Sequence, residues 1–305
     1  MLLPNNHVVN GTLPVIPAVF NDDGSVDYEG FCRVIEYVID AGSDGVVFPG
    51  LASEYDQLSV PERKELTKIV GEMTLGKIPF IVGGTGIDLD QAKAFTELGA
   101  NCGAICTMVM PSRDCGDDIA KITEFYSALA SAFPISIMLQ NAPAPMGPAL
   151  SVERVAAILN AVPEIHYVKE ENMPSGQRLS QLLEIAPQSL LGVFGGAGGR
   201  FIIDELGRGA LGTVPAVEFT ELHVALVNAH RENREDEARK IFTALLPLLN
   251  IQSIYRWNMT KYVLNRRGLI KNTYVRAPNI PLDEFDKKDI MLFWEKASIM
   301  LDLKN

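Results

Sequence analysis

Apolar residues along the chain arrive in two rhythms that take turns: short, nearly continuous runs, and longer stretches in which they recur every three or four positions. The first rhythm reads as a strand buried on both faces, the second as a helix with one buried stripe. Leu13 to Phe20 is the first run, and Asn21-Asp22-Asp23-Gly24 ends it with a turn. From Asp27, placed to cap a helix, Phe31, Val34, Ile35, Val38 and Ile39 keep helical spacing up to Gly42. Asp44 to Phe48 is the next strand. The alternation continues with helices over 61–73, 89–98, 119–132, 152–159, 179–185 and 201–206, and strands over 78–82, 104–109, 135–139, 163–169, 190–194 and 210–214.

Eight such units predict a parallel sheet covered by helices, and over 305 residues closure into a (β/α)8 TIM barrel is the economical architecture. An open doubly wound sheet is the competitor. Its phosphate fingerprint is missing, because Gly83-Gly84-Thr85-Gly86 follows a strand without the later glycine of that motif. After about Glu218 the strands stop, and residues 218–229, 234–249, 253–267 and 282–301 read as an all-α C-terminal extension. The pattern divides the chain into a barrel over 1–228 and a helical domain over 229–305.

Composition narrows the partners. The chain is 47% apolar with a formal charge of -11, and it carries no long Lys/Arg run, which argues against nucleic acid or an anionic membrane as the main partner. Met1 to His7 has no basic leader, and no segment approaches bilayer-spanning length, so a soluble cytoplasmic protein is expected. Cys32, Cys102, Cys106 and Cys115 form no CxxC pair and lie near no histidine at ligand spacing, so neither a metal site nor a disulfide framework is expected.

One strand breaks the apolar rule. Pro163-Glu164-Ile165-His166-Tyr167-Val168-Lys169-Glu170 ends its apolar run in a lysine, where a parallel barrel keeps its chemistry. Lys169 is the candidate amine nucleophile; a lysine leaving the sheet for solvent is the plain alternative. Three loops share that rim. Gly50, Leu51, Ala52 and Ser53 offer backbone N–H groups and a hydroxyl to an anion such as a 2-oxo acid carboxylate, with an ordinary turn equally open. Gln140 and Asn141 bring two neutral amides, which suit substrate hydroxyls or cap the loop. Gly195 and Gly196 open a glycine-rich run to Arg200 that suits an anion, although permissive backbone alone explains such runs. Tyr167, two residues before the lysine on the same face, is a candidate acid–base group or a barrel-filling aromatic. His7, His166, His223 and His230 are scattered and no GxSxG elbow exists, which leaves a hydrolytic triad without support.

In that order and spacing, the opening Pro14 to Phe20 stretch, Asp40-Ala41-Gly42-Ser43-Asp44-Gly45, the Gly50 to Glu54 loop, Gln140 to Pro143 and Lys169-Glu170 resemble the dihydrodipicolinate synthase and N-acetylneuraminate lyase family of Schiff-base barrels. The resemblance implies a (β/α)8 barrel with a helical C-terminal domain, a homotetramer or dimer, and a reaction without metal or organic cofactor. It implies that Lys169 condenses with the ketone of a 2-oxo acid. The sequence departs from the synthases in several places. Gly50-Leu51-Ala52-Ser53-Glu54 lacks both threonine hydroxyls of their Gly-Thr-Thr-Gly-Glu, Gln140 stands where the family tyrosine relays protons, Pro145 occupies the place of the semialdehyde-binding arginine, and Met110-Pro111-Ser112-Arg113 replaces a shared tyrosine pair. The chain is more similar to the sugar-acid branch, such as 2-keto-3-deoxy-arabonate dehydratases. The expected function is a dehydratase or aldolase acting on a 2-keto-3-deoxy sugar acid. Dihydrodipicolinate synthase itself and an inactive keto-acid-binding barrel are the alternatives.

Overall fold

The computed structural model describes residues 8–301, so the opening segment Met1 to His7 lies outside the described residues. Eight strands run β1 (Gly11–Thr12), β2 (Val46–Phe48), β3 (Phe80–Gly83), β4 (Cys106–Val109), β5 (Ser136–Asn141), β6 (Ile165–Glu170), β7 (Gly192–Gly195) and β8 (Gly212–Thr213). Every ladder between neighbouring strands is parallel, and β1 pairs with β8 at the other end of the order. The ring closes at Val15, which bridges to Val47 of β2 and to Ala216 just past β8. The architecture is the TIM barrel, whose rim at the C-terminal ends of the strands carries the connecting loops.

The apolar run at 13–20 does not form the first strand. Pro14 and Pro17 have no N–H to give a ladder, so the regular strand is only Gly11–Thr12 and the run that follows is held to the sheet by single bridges. Its apolar side chains still fill the core: Leu13, Ile16 and Phe20 are fully buried.

Between the strands run α1 (Tyr28–Asp40), α2 (Val60–Thr74), α3 (Leu89–Asn101), α4 (Ile119–Ala132), α5 (Val152–Ala161), α6 (Ser175–Ile185), α7 (Ile202–Gly207) and α8 (Thr220–Arg231). Several start where the sequence supplies an acceptor for unpaired N–H groups. Asp27 accepts from Gly30 N, Ser59 and Glu62 form a capping box around Pro61, and Ser151 accepts from Arg154 N. Inside the ring, Val47, Ile81, Met108, Met138, Tyr167 and Phe194 make a packed core.

Beyond α8 lie α9 (Glu235–Tyr255), α10 (Trp257–Arg266) and α11 (Glu284–Ile299). Residue 228 falls inside α8, and we place the division between barrel and extension in the turn at 232–234. The expected gap at 250–252 is absent: Asn250-Ile251-Gln252 contains no helix breaker, and α9 runs on to Tyr255 before turning at Arg256 (φ 43°, ψ -115°). Leu245 and Leu248 of α9 and Trp294 of α11 share one buried cluster with Leu222 and Leu226 of α8, so the extension packs on the barrel. No helix among the described residues is long and apolar enough to cross a membrane.

Candidate active site

Alternation along β6 sends Val168 and Glu170 out of the ring and turns Tyr167, Lys169 and Glu171 inward. Lys169 sits between Gln140 of β5 and Phe194 of β7 in the ladders, and it is 4% exposed. Its Nζ lies 3.3 Å from Glu171 Oε1. The other carboxylate oxygen, Oε2, accepts a 2.7 Å hydrogen bond from Gln140 Nε2. The amine therefore does not leave the sheet for solvent. It faces a cavity of about 490 Å³, bordered by Leu51 and Ala52 from the second loop, Pro143 and Met146 from the fifth, Ala197, Gly198 and Arg200 from the seventh, and Gln252, Arg256 and Trp257 from the extension.

Leu51 and Ala52 border that cavity at the start of a single 3-10 turn, where the first N–H groups have no carbonyl of their own turn to reach. Ser53 serves the loop instead of the cavity. Its hydroxyl donates to Ile16 O at 2.5 Å and accepts from Gly50 N at 2.9 Å, so its proton is spent inside the protein. Gly50 is required by space, since a Cβ there would meet Val15 at 2.8 Å. Trp257 reaches across from α10 and donates Nε1–H to Leu51 O at 2.9 Å, which fixes the second loop against the extension. Glu54, in a left-handed conformation at the end of the turn, forms a fully buried ion pair with Lys261 and accepts from Ala277 N at 2.8 Å.

The two amides of the fifth loop separate. Gln140 points inward and holds Glu171, whereas Asn141 points out of the ring. Asn141 Nδ2 donates to Glu170 Oε2 at 2.9 Å and to Leu150 O at 3.0 Å, so it braces the loop and has nothing left for a substrate. Glu170 is braced in turn by Asn172 and Arg178.

The expectation that Tyr167 moves protons for Lys169 is not met by its geometry. It sits one layer deeper in the ring, its hydroxyl accepts from Val9 N at 3.0 Å on the far side from the loops, and burial pushes its pKa up. It is a barrel-filling aromatic, packed edge-on against Phe194 with ring centroids 6.1 Å apart. His166 likewise lies at that lower end, 2.9 Å from Ser136 Oγ.

Gly195 and Gly196 do not border the cavity; they make room for two carboxyl groups. A Cβ on Gly196 would lie 2.4 Å from Glu171 Cγ, and one on Gly195 would lie 1.9 Å from Glu205 Oε2. Glu205 is buried, accepts from Ser175 Oγ at 2.7 Å, and is pushed up to about 7, with desolvation the main cause. Sequence reasoning missed Glu171, although one more step of strand alternation beyond Lys169 leads to it. Among the described residues no group of three or more His, Cys, Asp or Glu is arranged to hold a metal ion.

With the barrel and the lysine at its rim described, comparison with known proteins gives the family. The model of the dihydrodipicolinate synthetase family matches residues 8–296. The chain belongs to that family. It is a lyase of the carbon–oxygen or carbon–carbon class within it. Among characterised relatives, L-2-keto-3-deoxyarabonate dehydratase of Azospirillum brasilense is 30% identical over 261 residues, covering 85% of this chain and 84% of that protein. Among solved structures, YagE of Escherichia coli K12, a prophage protein of the family in complex with pyruvate, superposes with a TM-score of 0.87 at 21% identity, covering 96% of this chain and 99% of that one. The 4-hydroxy-tetrahydrodipicolinate synthase of Methylacidiphilum fumariolicum SolV also gives 0.87, at 24% identity, covering 97% and 98%. At those identities the two structural matches speak for the fold alone, and family members act on small keto acids.

Proposed function

We propose that the protein is a Schiff-base dehydratase of a 2-keto-3-deoxy sugar acid, working through an iminium on Lys169. The observation that carries this reading is the buried Lys169 amine 3.3 Å from the Glu171 carboxylate at the edge of a solvent-connected cavity. Similarity to a 2-keto-3-deoxyarabonate dehydratase supports the substrate class.

The chemistry follows from those two groups. The Lys169 amine adds to the C2 ketone, and with one proton taken from solvent water leaves, giving an iminium that withdraws electrons from C3. Glu171 takes a C3 proton, the electron pair forms an enamine, and the enamine expels the C4 hydroxyl, which leaves as water with the proton Glu171 carries. Water then returns to C2 and frees the lysine. Gln140 holds the second carboxylate oxygen and so fixes the one that faces the amine. This pair does the work that the expected tyrosine relay does in the synthases. The N–H groups of Leu51 and Ala52 are the candidates for the C1 carboxylate, with Gly50 and Ser53 shaping their loop. Asn141, Gly195 and Gly196 support the site from behind.

Borohydride reduction with pyruvate and with 2-keto-3-deoxy acids, followed by peptide mass mapping, tests the proposal. The expected result is an adduct on Lys169 and, without borohydride, a product lighter by one water. An adduct elsewhere overturns the role of Lys169, and release of pyruvate makes the reaction an aldol cleavage.

A further inference from the structure

The cavity beside Lys169 carries more positive charge than capturing a ketone requires. Its lining holds Lys169, Arg200 and Arg256 against one carboxylate, Glu171, which is already engaged with Lys169 and Gln140. That balance stands in a chain of net charge -11. Many arginines elsewhere meet acids, as Arg178 pairs with Glu170, Arg231 with Asp44, Arg267 with Glu221 and Arg276 with Glu62, whereas buried Arg63 is satisfied by the carbonyls of Gly83 and Thr85. The two cavity arginines have no carboxylate partner among the described residues. Arg200 is half-buried and uses only Nε, which donates to Ala197 O at 3.0 Å, leaving both terminal nitrogens uncommitted; desolvation alone lowers its pKa. Arg256 lies over the Trp257 ring at 5.1 Å and its one polar contact is the Met146 sulfur, 3.7 Å from Nη2.

Backbone turns set both residues at the mouth of the cavity, Arg200 half-buried and Arg256 exposed. Arg200 closes the turn after β7, in which Ala197 and Gly198 have positive φ, and Arg256 is the residue on which the chain turns from α9 into α10. Two planar donor forks without acids, both bordering one cavity, are what a bound oxyanion completes.

We infer that Arg200 and Arg256 form a distal subsite for a second acidic group, so that the substrate is a 2-oxo acid ending in a carboxylate or a phosphate. This rests on the reading of Lys169 as the ketone-capturing amine, with the chain of the substrate running from there toward the extension. Gln252 and Ser253, on the same wall, are left to meet hydroxyls between the two ends.

Titration calorimetry of the full chain with 2-oxoglutarate, 2-oxopentanoate and 2-keto-3-deoxy-6-phosphogluconate tests the subsite, alongside borohydride trapping of Lys169 with pyruvate. The expected result is that an acid-ended ligand binds about tenfold or more tightly than 2-oxopentanoate. The tighter of the two acid-ended ligands identifies the tail as carboxylate or phosphate. In Arg200→Gln and in Arg256→Gln the ratio of dissociation constants should fall toward one, and a ratio is not moved by a uniform loss of folded protein. Equal affinity for all three ligands, or a ratio unchanged in both variants, overturns the inference. A pyruvate adduct without tail preference removes the subsite and spares the iminium; a tail preference without an adduct does the reverse.

Discussion

Glu171 has one oxygen held by Gln140 and the other turned to the Lys169 nitrogen, so its two lone-pair directions are assigned different tasks. If it moves the C3 proton, Glu171→Gln should leave adduct formation possible while slowing dehydration by about 10²- to 10⁴-fold. Borohydride trapping and steady-state turnover on the same preparation separate the two steps, and full turnover in that variant would move the relay to another group. Lys169→Arg should lose both signals. These residues differ in how readable they were. Lys169 announced itself as a charge at the end of an apolar run. Glu171 needed only the parity of the strand, but Glu170 beside it obscured the choice, and only the fold reveals that Glu170 is turned outward onto Asn172 and Arg178. Ser53 misled for a related reason: a hydroxyl in a rim loop is as easily satisfied by the loop as by a ligand, and Ile16 O accepts its hydrogen bond.

At the scale of elements, alternating apolar rhythms located nearly every strand and helix, because parallel strands buried on both faces and helices buried on one leave unmistakable patterns. The exceptions are backbone effects. The opening run lost its ladder to Pro14 and Pro17, and the break between α9 and α10 moved to Arg256, where no glycine or proline marks it. That break matters because it puts Trp257 on Leu51 O. Trp257→Phe keeps an aromatic ring but removes the donor together with part of the indole, and the lost hydrogen bond alone is worth about 1 kcal/mol. The expected outcome is a several-fold rise in KM for the keto acid with kcat little changed, read from initial rates; an unaltered KM would mean that the second loop holds its shape without the extension. The Glu54–Lys261 pair makes the same joint from beneath the loop, 1% exposed on both sides. Lys261→Met strands a buried carboxylate and should cost about 3–5 kcal/mol of stability, whereas Glu54→Gln combined with Lys261→Met should recover much of it. Chemical denaturation of the two variants and the double variant checks the order.

For the whole molecule, the question is how firmly the helical extension is joined to the ring, since the cavity is walled by both. The shared apolar cluster of α8, α9 and α11 supplies a charge-independent contact. Glu218 adds one that depends on pH. It follows β8, is fully enclosed, and has one oxygen, Oε2, without a hydrogen-bond partner among the described residues. Its backbone carbonyl accepts from Arg267 Nη1 at 3.0 Å, and Thr260 of α10 is bonded to its side chain, so it stands at the seam. Burial pushes Glu218 up to about 7 from 4.5. The folded protein therefore holds this proton more tightly than the unfolded chain does. The corresponding stabilisation is complete below about pH 4.5 and is lost as pH rises through about 7. From the size of the shift, the loss is on the order of 3 kcal/mol. Glu218→Gln keeps the shape and removes the titration. The stability of the variant relative to the parent should consequently rise between pH 5 and pH 8, and comparing the two proteins cancels the parallel titration of Glu205. Thermal midpoints measured at both pH values give that difference. A value that does not change with pH would mean that the carboxyl is ionised in the folded state and finds, at the joint between ring and helices, a partner strong enough to keep it so.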